Sequence, residues 1–258
     1  MKILFLADVF GIPGRRAVEE HLPALRERYD ADIAIVNGEN AADGAGITTK
    51  LADKLLAAGA DVVTLGNHTY RRGGISSYLA ESERVIRPAN FGAEAPGRGI
   101  AVAEARNGIA VAVVNLLGQL FLPTPVSPWE MVDALVEEAR AAAPVVVVDF
   151  HAEATSEKIA LATWLDGRVT AVIGTHTHVQ TNDARILPGG TAAVSDAGMT
   201  GPHASVIGVR SELAIARMRT RLPVRFEPAE GDVRLEGALV TCTEAGRAEG
   251  IELVRVPA

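Results

Sequence analysis

The chain has 258 residues, 48% of them hydrophobic and 22% charged, with a formal net charge of −7. That content suits one large α/β domain or two small ones, with ample core, and the acidic balance argues against a general nucleic-acid coat, which would usually be basic. The single cysteine, Cys242, excludes an internal disulfide framework and a cysteine-rich zinc site.

In chain order, "KILFLADVFG" is a continuous apolar run emptying into Asp-x-x-Gly, the pattern of a buried strand. The stretch has neither the long apolar core nor the cleavage site of a secretory signal, and no apolar run reaches membrane-spanning length. A cytoplasmic protein without a membrane segment is expected. "PGRRAVEEHLPALRERY" has helical spacing with Pro13 near its start. "ADIAIVNGEN" reads as a second strand, "TTKLADKLLAAG" as a helix closed by Gly59, and "ADVVTLGNHTY" as a third strand. "GGISSYLAESE" predicts a short helix and "VIRPANFG" a short strand or extended segment. Two apolar arms flank Asn107-Gly108, which predicts a hairpin with a type I′ turn. "SPWEMVDALVEEARAAA" predicts a helix with Ser127 as N-cap and Pro128 at its first position. The strand "PVVVVDFHAE", the helix "TSEKIALATWLDG" and the strand "VTAVIGTHTH" follow. From "ARILPGG" onward the chain alternates in the strand manner, including "ELAIARMRTRLPVRFE", where Arg217, Arg219 and Arg221 would line one strand face. No linker or repeat interrupts the pattern. The expectation is a single-domain α/β sandwich of mixed sheets flanked by helices, spanning residues 1–258.

Five of these strands end in ligand-type residues: Asp8; Glu39 and Asn40; Asn67 and His68; His151; and His176 with His178. Each alone has an ordinary explanation as a turn residue, a helix cap or a core histidine. Together they are hard to explain as turn chemistry, because ligands of open α/β sheets gather beyond the carboxyl ends of the strands. Side chains two apart on an extended chain point the same way, so His176 and His178 are expected to converge. Imidazole, carboxylate and amide oxygen without thiolate suit manganese, iron or zinc. The set exceeds what one ion needs, whereas two ions about 3.5–4 Å apart could use it, with Glu39 as a central bridging carboxylate. Two divalent ions, two carboxylates and a hydroxide leave a net charge of about +1, enough to draw a phosphate ester to an acidic protein.

At these residues the chain resembles the calcineurin-like metallophosphoesterases, whose blocks run D-x-H, G-D, G-N-H-[DE], a lone H and G-H-x-H. It carries "ADVF", "GEN", "GNHT", "FHAE" and "GTHTH" in that order. "NGEN", "LGNHTY", "RPANF", "VDFHAEATSEK", "GTHTHVQT" and "DAGMTGP" resemble the YmdB-like family of cyclic-nucleotide phosphodiesterases within that superfamily, over essentially the whole chain. The resemblance implies the calcineurin-like metallophosphoesterase architecture and two metal ions, iron or manganese foremost and zinc as an alternative. It implies one ion on Asp8, Glu39, Asn40 and His178, and the other on Glu39, Asn67, His151 and His176. It makes His68 the proton donor. The implied reaction opens a 2′,3′-cyclic nucleotide to a 3′-nucleotide by attack of a metal-bridging hydroxide. The departures from the wider superfamily are Phe10 where D-x-H has a histidine, Glu39 for the bridging aspartate, and Thr69 for the acidic residue after His68.

A phosphomonoesterase or nucleotidase of the same superfamily, and a regulatory RNA- or partner-binding protein with structural metals, stand as alternatives. A homo-oligomer and an RNA or protein partner stay open. Asp149 or Glu153 is expected to hold the ring of His151. "PGGTAAVSDAGMTGPH" is read as either a pocket border or a structural loop, and His21 and His203 are expected at the surface.

Overall fold

The computed structural model describes residues 1–258. The chain begins β1 (Lys2–Leu6), α1 (Gly11–Tyr29), β2 (Ile33–Asn37), α2 (Thr49–Ala57), β3 (Val62–Thr64), α3 (Ile75–Glu81). It continues through β4 (Ile100–Glu104), β5 (Ala110–Leu117), α4 (Pro128–Ala142), β6 (Val145–His151), α5 (Thr155–Trp164) and β7 (Ala171–Thr175). It ends with β8 (Arg185–Ile186), β9 (Ala192–Val194), β10 (Gly201–Pro202), α6 (Ser211–Thr220), β11 (Val233–Cys242) and β12 (Ala248–Pro257).

The strands form two mixed sheets. In the first, β1, β2 and β3 run parallel, and β11 returns antiparallel beside β1 with Phe5 opposite Ala238. β12 covers the other edge of β11. In the second, β5, β6, β7 and β9 run parallel, with β4 and β8 as antiparallel edges. Alternation decides which residues face where. Ile3, Phe5 and Ile35 meet Val113, Val147 and Ile173 between the sheets. Leu4, Leu6 and Val36 turn outward onto Val18 and Leu22 of α1 and Leu55 of α2. Val114, Val148 and Val172 turn outward onto Val132 and Val136 of α4 and Leu161 of α5. With both faces of each sheet covered, the central strands can be apolar throughout, which is why they read as unbroken runs. The layers are helix, sheet, sheet, helix, as the expected mixed α/β sandwich requires. No helix is long and apolar enough to cross a membrane.

Most element boundaries fall where the punctuation predicts. The Ser127 side chain accepts from the Trp129 N–H with Pro128 at the first position of α4, and Gly59 leaves α2 at φ 112°. Three local readings are corrected. The β4–β5 hairpin closes with Gly108 N–H bonded to Ala105 O, and only Gly108 takes positive φ. That is a type I turn followed by a left-handed glycine, not type I′, which needs positive φ at both central residues. Segment 85–92 makes one bridge, Val85 to Val63, and then a 3₁₀ turn at Ala89–Phe91. "ELAIARMRTR" is the helix α6, so Arg217 and Arg219 lie on a helix and Arg221 caps it in the left-handed region. Ala, Leu, Met and Arg are strong helix formers, and local propensity wins because only Ala214 of this segment is buried.

Candidate metal centre

The carboxyl ends of β1, β2 and β3 in one sheet and of β6 and β7 in the other open on the same side. There the structure gathers the eight strand-end residues Asp8, Glu39, Asn40, Asn67, His68, His151, His176 and His178. Asp8, Glu39 and His151 are fully buried, Asn40 and His178 nearly so. The convergence of His176 and His178 has a different cause from the one expected. β7 stops at Thr175, and both histidines take left-handed backbone, φ 105° and 63°, with Asp8 also positive at 29°. Such conformations cost on the order of 1–3 kcal/mol each away from glycine and persist at sites where the surroundings enforce them.

The surroundings are visible. Asp196 accepts from the N–H and hydroxyl of Thr177, between the two histidines, and from Lys158 Nζ at 2.7 Å in a fully buried ion pair. Gly174 lets this turn approach, because a Cβ there would lie 1.8 Å from the Ser195 carbonyl oxygen.

Each imidazole has one nitrogen committed. His178 Nδ1 donates to the Ile207 carbonyl at 2.9 Å. His176 Nε2 lies 3.0 Å from Glu153 Oε2. His151 Nδ1 meets the Thr175 hydroxyl at 2.9 Å, and that hydroxyl spends its own proton on Asp149 Oδ1 at 2.8 Å. A hydroxyl has one proton, so His151 must donate through Nδ1. The remaining nitrogens therefore carry lone pairs, and they do not face donors. His151 Nε2 is 3.1 Å from Asn67 Oδ1 and 3.1 Å from His176 Nδ1. His178 Nε2 is 3.3 Å from Asn40 Oδ1, an oxygen fixed by the donation of Asn40 Nδ2 to Gly44 O. Lone pairs thus face lone pairs at two places, an arrangement that a cation between them relieves. Burial lowers the pKa of all three rings, that of His176 to about 4 with His178 adding to it, so all are in the neutral form that ligates metal.

Two carboxylates lie beside His151. Asp8 Oδ2 accepts from the His176 N–H at 2.9 Å, while buried Asp8 Oδ1 has no hydrogen-bond partner. Burial, with Asp196 beside it, raises the Asp8 carboxyl well above its ordinary range. Glu39 takes the N–H groups of Gly66 and His68, at 2.7 and 2.5 Å, and lies 4.0 Å from His151 Nε2. The convergence runs by pairs through amide oxygens, and no three histidine, cysteine or acidic side chains gather alone around one point. An orphaned buried carboxylate oxygen, two amide oxygens and three lone-pair nitrogens fit metal ions. His68 stands apart, with its side chain about one-third exposed and Nδ1 2.9 Å from Glu39 Oε1 in a contact too poorly aligned for a hydrogen bond. Phe10, where a histidine ligand was absent, packs its edge on His178 at 5.6 Å.

Some functional neighbours were misplaced or missed in the sequence. Glu153 holds His176, not His151. Asp149 reaches His151 only through Thr175. Asp196 and Lys158 lie in the motifs "DAGMTGP" and "VDFHAEATSEK" but were not singled out there, and the "SDAGMT" segment that holds Asp196 is buried after β9, with Met199 bordering a cavity beside His178. His203 is partly exposed and not free: its Nε2 donates to Met199 O and faces Glu236 across 3.9 Å.

Two stacked mixed sheets covered by helices, with these residues gathered on their carboxyl-end loops, are the fold of the metallophosphoesterase type. The chain belongs to the YmdB-like protein family, whose model matches residues 4–254. It is 48% identical to a 2′,3′-cyclic-nucleotide 2′-phosphodiesterase of Bacillus subtilis (strain 168), over 93% of this chain and 90% of that one. It superposes on a hypothetical protein from Thermus thermophilus with TM-score 0.92 and 43% identity, covering 100% and 99% of the two chains. A phosphatase from Mycoplasma pneumoniae superposes with TM-score 0.91 and 33% identity, covering 100% and 93%.

Proposed function

We propose that the chain is a two-metal phosphodiesterase that hydrolyses 2′,3′-cyclic nucleotides to 3′-nucleotides. The observation that carries this reading is the set of buried imidazoles whose free lone pairs meet amide oxygens and one another. The name of the B. subtilis relative supports the substrate class. Asp8, Glu39, Asn40 and His178 would hold one ion, and Glu39, Asn67, His151 and His176 the other. Nitrogen and oxygen donors without thiolate suit iron or manganese, and also accommodate zinc. When bound, two such ions supply positive charge to the phosphoryl oxygens and lower the pKa of water at the site.

The chain's own residues do the rest. Glu39, held by two backbone N–H groups, serves both halves of the centre without moving. His68 has Nδ1 2.9 Å from Glu39 Oε1, and its Nε2 would hand a proton to the departing ribose 2′ oxygen. Its partial exposure gives substrate access to that nitrogen. Beside His178, a cavity of about 330 Å³ lined by Val179, Met199, Val206 and Ile207 together with His203 and Ser205 offers a partly apolar seat for the base.

The test is a substrate panel on protein purified without chelator: 2′,3′-cyclic AMP, 3′,5′-cyclic AMP and p-nitrophenyl phosphate, each with and without EDTA and with Mn²⁺ restored. The expected result is chelator-sensitive, Mn²⁺-restored turnover that is fastest on 2′,3′-cyclic AMP and yields the 3′-nucleotide. Faster turnover of the monoester would make the enzyme a phosphomonoesterase, and turnover indifferent to chelator would remove the metals from the chemistry.

A further inference from the structure

Between the two apolar sheets sits one fully buried carboxylate that touches no proposed ligand directly, Asp149 of β6. Its Oδ2 accepts from Asn37 Nδ2 of β2 at 2.8 Å and from the Thr64 hydroxyl of β3 at 2.5 Å. Its Oδ1 accepts from the Thr175 hydroxyl of β7 at 2.8 Å. Three donors from three strands, two of them in the opposite sheet, saturate one charge. A charge buried in an apolar interface is poor stabilisation, since well-packed hydrophobic residues do as well or better. What Asp149 organises explains its place. The far side of Asn37, Oδ1, accepts the N–H of Glu39 at 3.0 Å. The far side of Thr175 accepts from His151 Nδ1 at 2.9 Å.

We propose that Asp149 is the positioning residue that joins the two halves of the metal centre. Through Asn37 it anchors the backbone that carries Glu39 in one sheet, and through Thr175 it fixes the proton of His151 on Nδ1 in the other. The assignment rests on the two-metal reading above. It is also directional. The carboxylate only accepts, so the Thr175 proton points to Asp149 and the Thr175 lone pair to His151. An amide at position 149 breaks this order whichever way it turns. With its nitrogen toward Thr175, the hydroxyl must donate to His151, which moves the ring proton to Nε2 and removes the ligand lone pair. With its nitrogen toward Asn37 and Thr64, the Thr64 hydroxyl can turn to accept but Asn37 Nδ2 is opposed, and an Asn37 that flips to meet it loses the acceptor for Glu39.

The experiment titrates metal-free protein with Mn²⁺ and reads the His151 tautomer by ¹⁵N NMR before metal is added, for wild type, Asp149→Asn and Thr175→Val. Wild type is expected to show Nδ1–H on His151 and to bind two ions. Asp149→Asn is expected to lose that single tautomer or the affinity of the Glu39 ligands, with Mn²⁺ binding weakened about 10–100-fold. Thr175→Val is expected to weaken only the ion held by His151, leaving the other near wild type. A role confined to fold stability would lower the melting temperature without moving the tautomer. If Asp149→Asn keeps Nδ1–H and binds both ions within twofold of wild type, the assignment is overturned. Should that variant not fold, Thr175→Val decides the point, and an unchanged tautomer and affinity in it overturn the assignment equally. Fewer than two ions on wild type would instead overturn the two-metal reading, and this inference with it.

Discussion

Glu39, Asn67 and His68 are near neighbours with separate proposed duties, and substitution can tell them apart. A carboxylate that serves both ions contributes charge to each, whereas an amide oxygen is a neutral donor to one. We therefore expect Glu39→Gln to lose both ions and Asn67→Ala to lose one. Metal stoichiometry of purified variants checks this; a Glu39→Gln protein that keeps both ions would remove the bridging role. His68→Ala should keep both ions and lose roughly 10²–10⁴ in rate on 2′,3′-cyclic AMP. The loss should shrink for bis-p-nitrophenyl phosphate, whose leaving group departs without a proton. Equal losses on both substrates with metal intact would turn His68 into a substrate-positioning residue. At this scale the sequence marked the eight positions proposed for the site, because each follows an apolar strand, and the structure brings them together. Their partners were not. Thr175 reaches His151 and the Ile207 carbonyl reaches His178 across the fold, while Asp196 holds Thr177 between the two histidines, and no spacing in the sequence announces these contacts.

The loop after β3 makes its contribution through a glycine. A Cβ on Gly66 would lie 2.4 Å from Nε2 of His151 and 2.5 Å from its Cδ2. The φ of Gly66 is not in the left-handed region, so space and not backbone conformation requires it. Gly66→Ala should push the His151 ring away from Asn67 while the fold survives. The expected outcome is one ion in place of two, far-ultraviolet circular dichroism unchanged, and activity largely lost. A variant that keeps both ions would show that the ring has room to move. Elements with buried faces were legible because period and burial agree in them. α6 was not, because Ile215 and Met218 point to solvent and its arginines recur every second residue, which imitates a strand. The β4–β5 turn was read one class wrong because Asn-Gly serves both a two-residue loop and the three-residue loop observed.

Across the whole molecule, the strand types were legible and their partners were not. That β11, over 230 residues along the chain, pairs with β1 depends on contacts no local window contains. The division of the site is of the same kind. Asp8, Glu39, Asn40 and Asn67 issue from one sheet, and His151, His176 and His178 from the other. Under the proposed ligation each ion takes donors from both. Metal is then a thermodynamic cross-link between the two sheets, and binding to the native state alone stabilises it by about 2.7 kcal/mol per ion at a hundredfold excess over Kd. The thermal midpoint should climb steadily with free Mn²⁺ and fall on chelation; a midpoint independent of Mn²⁺ would mean that the sheets are locked without it. A cell short of metal would then hold a protein that is not only idle but shorter-lived, its turnover by proteases governed by the same ions that govern its catalysis.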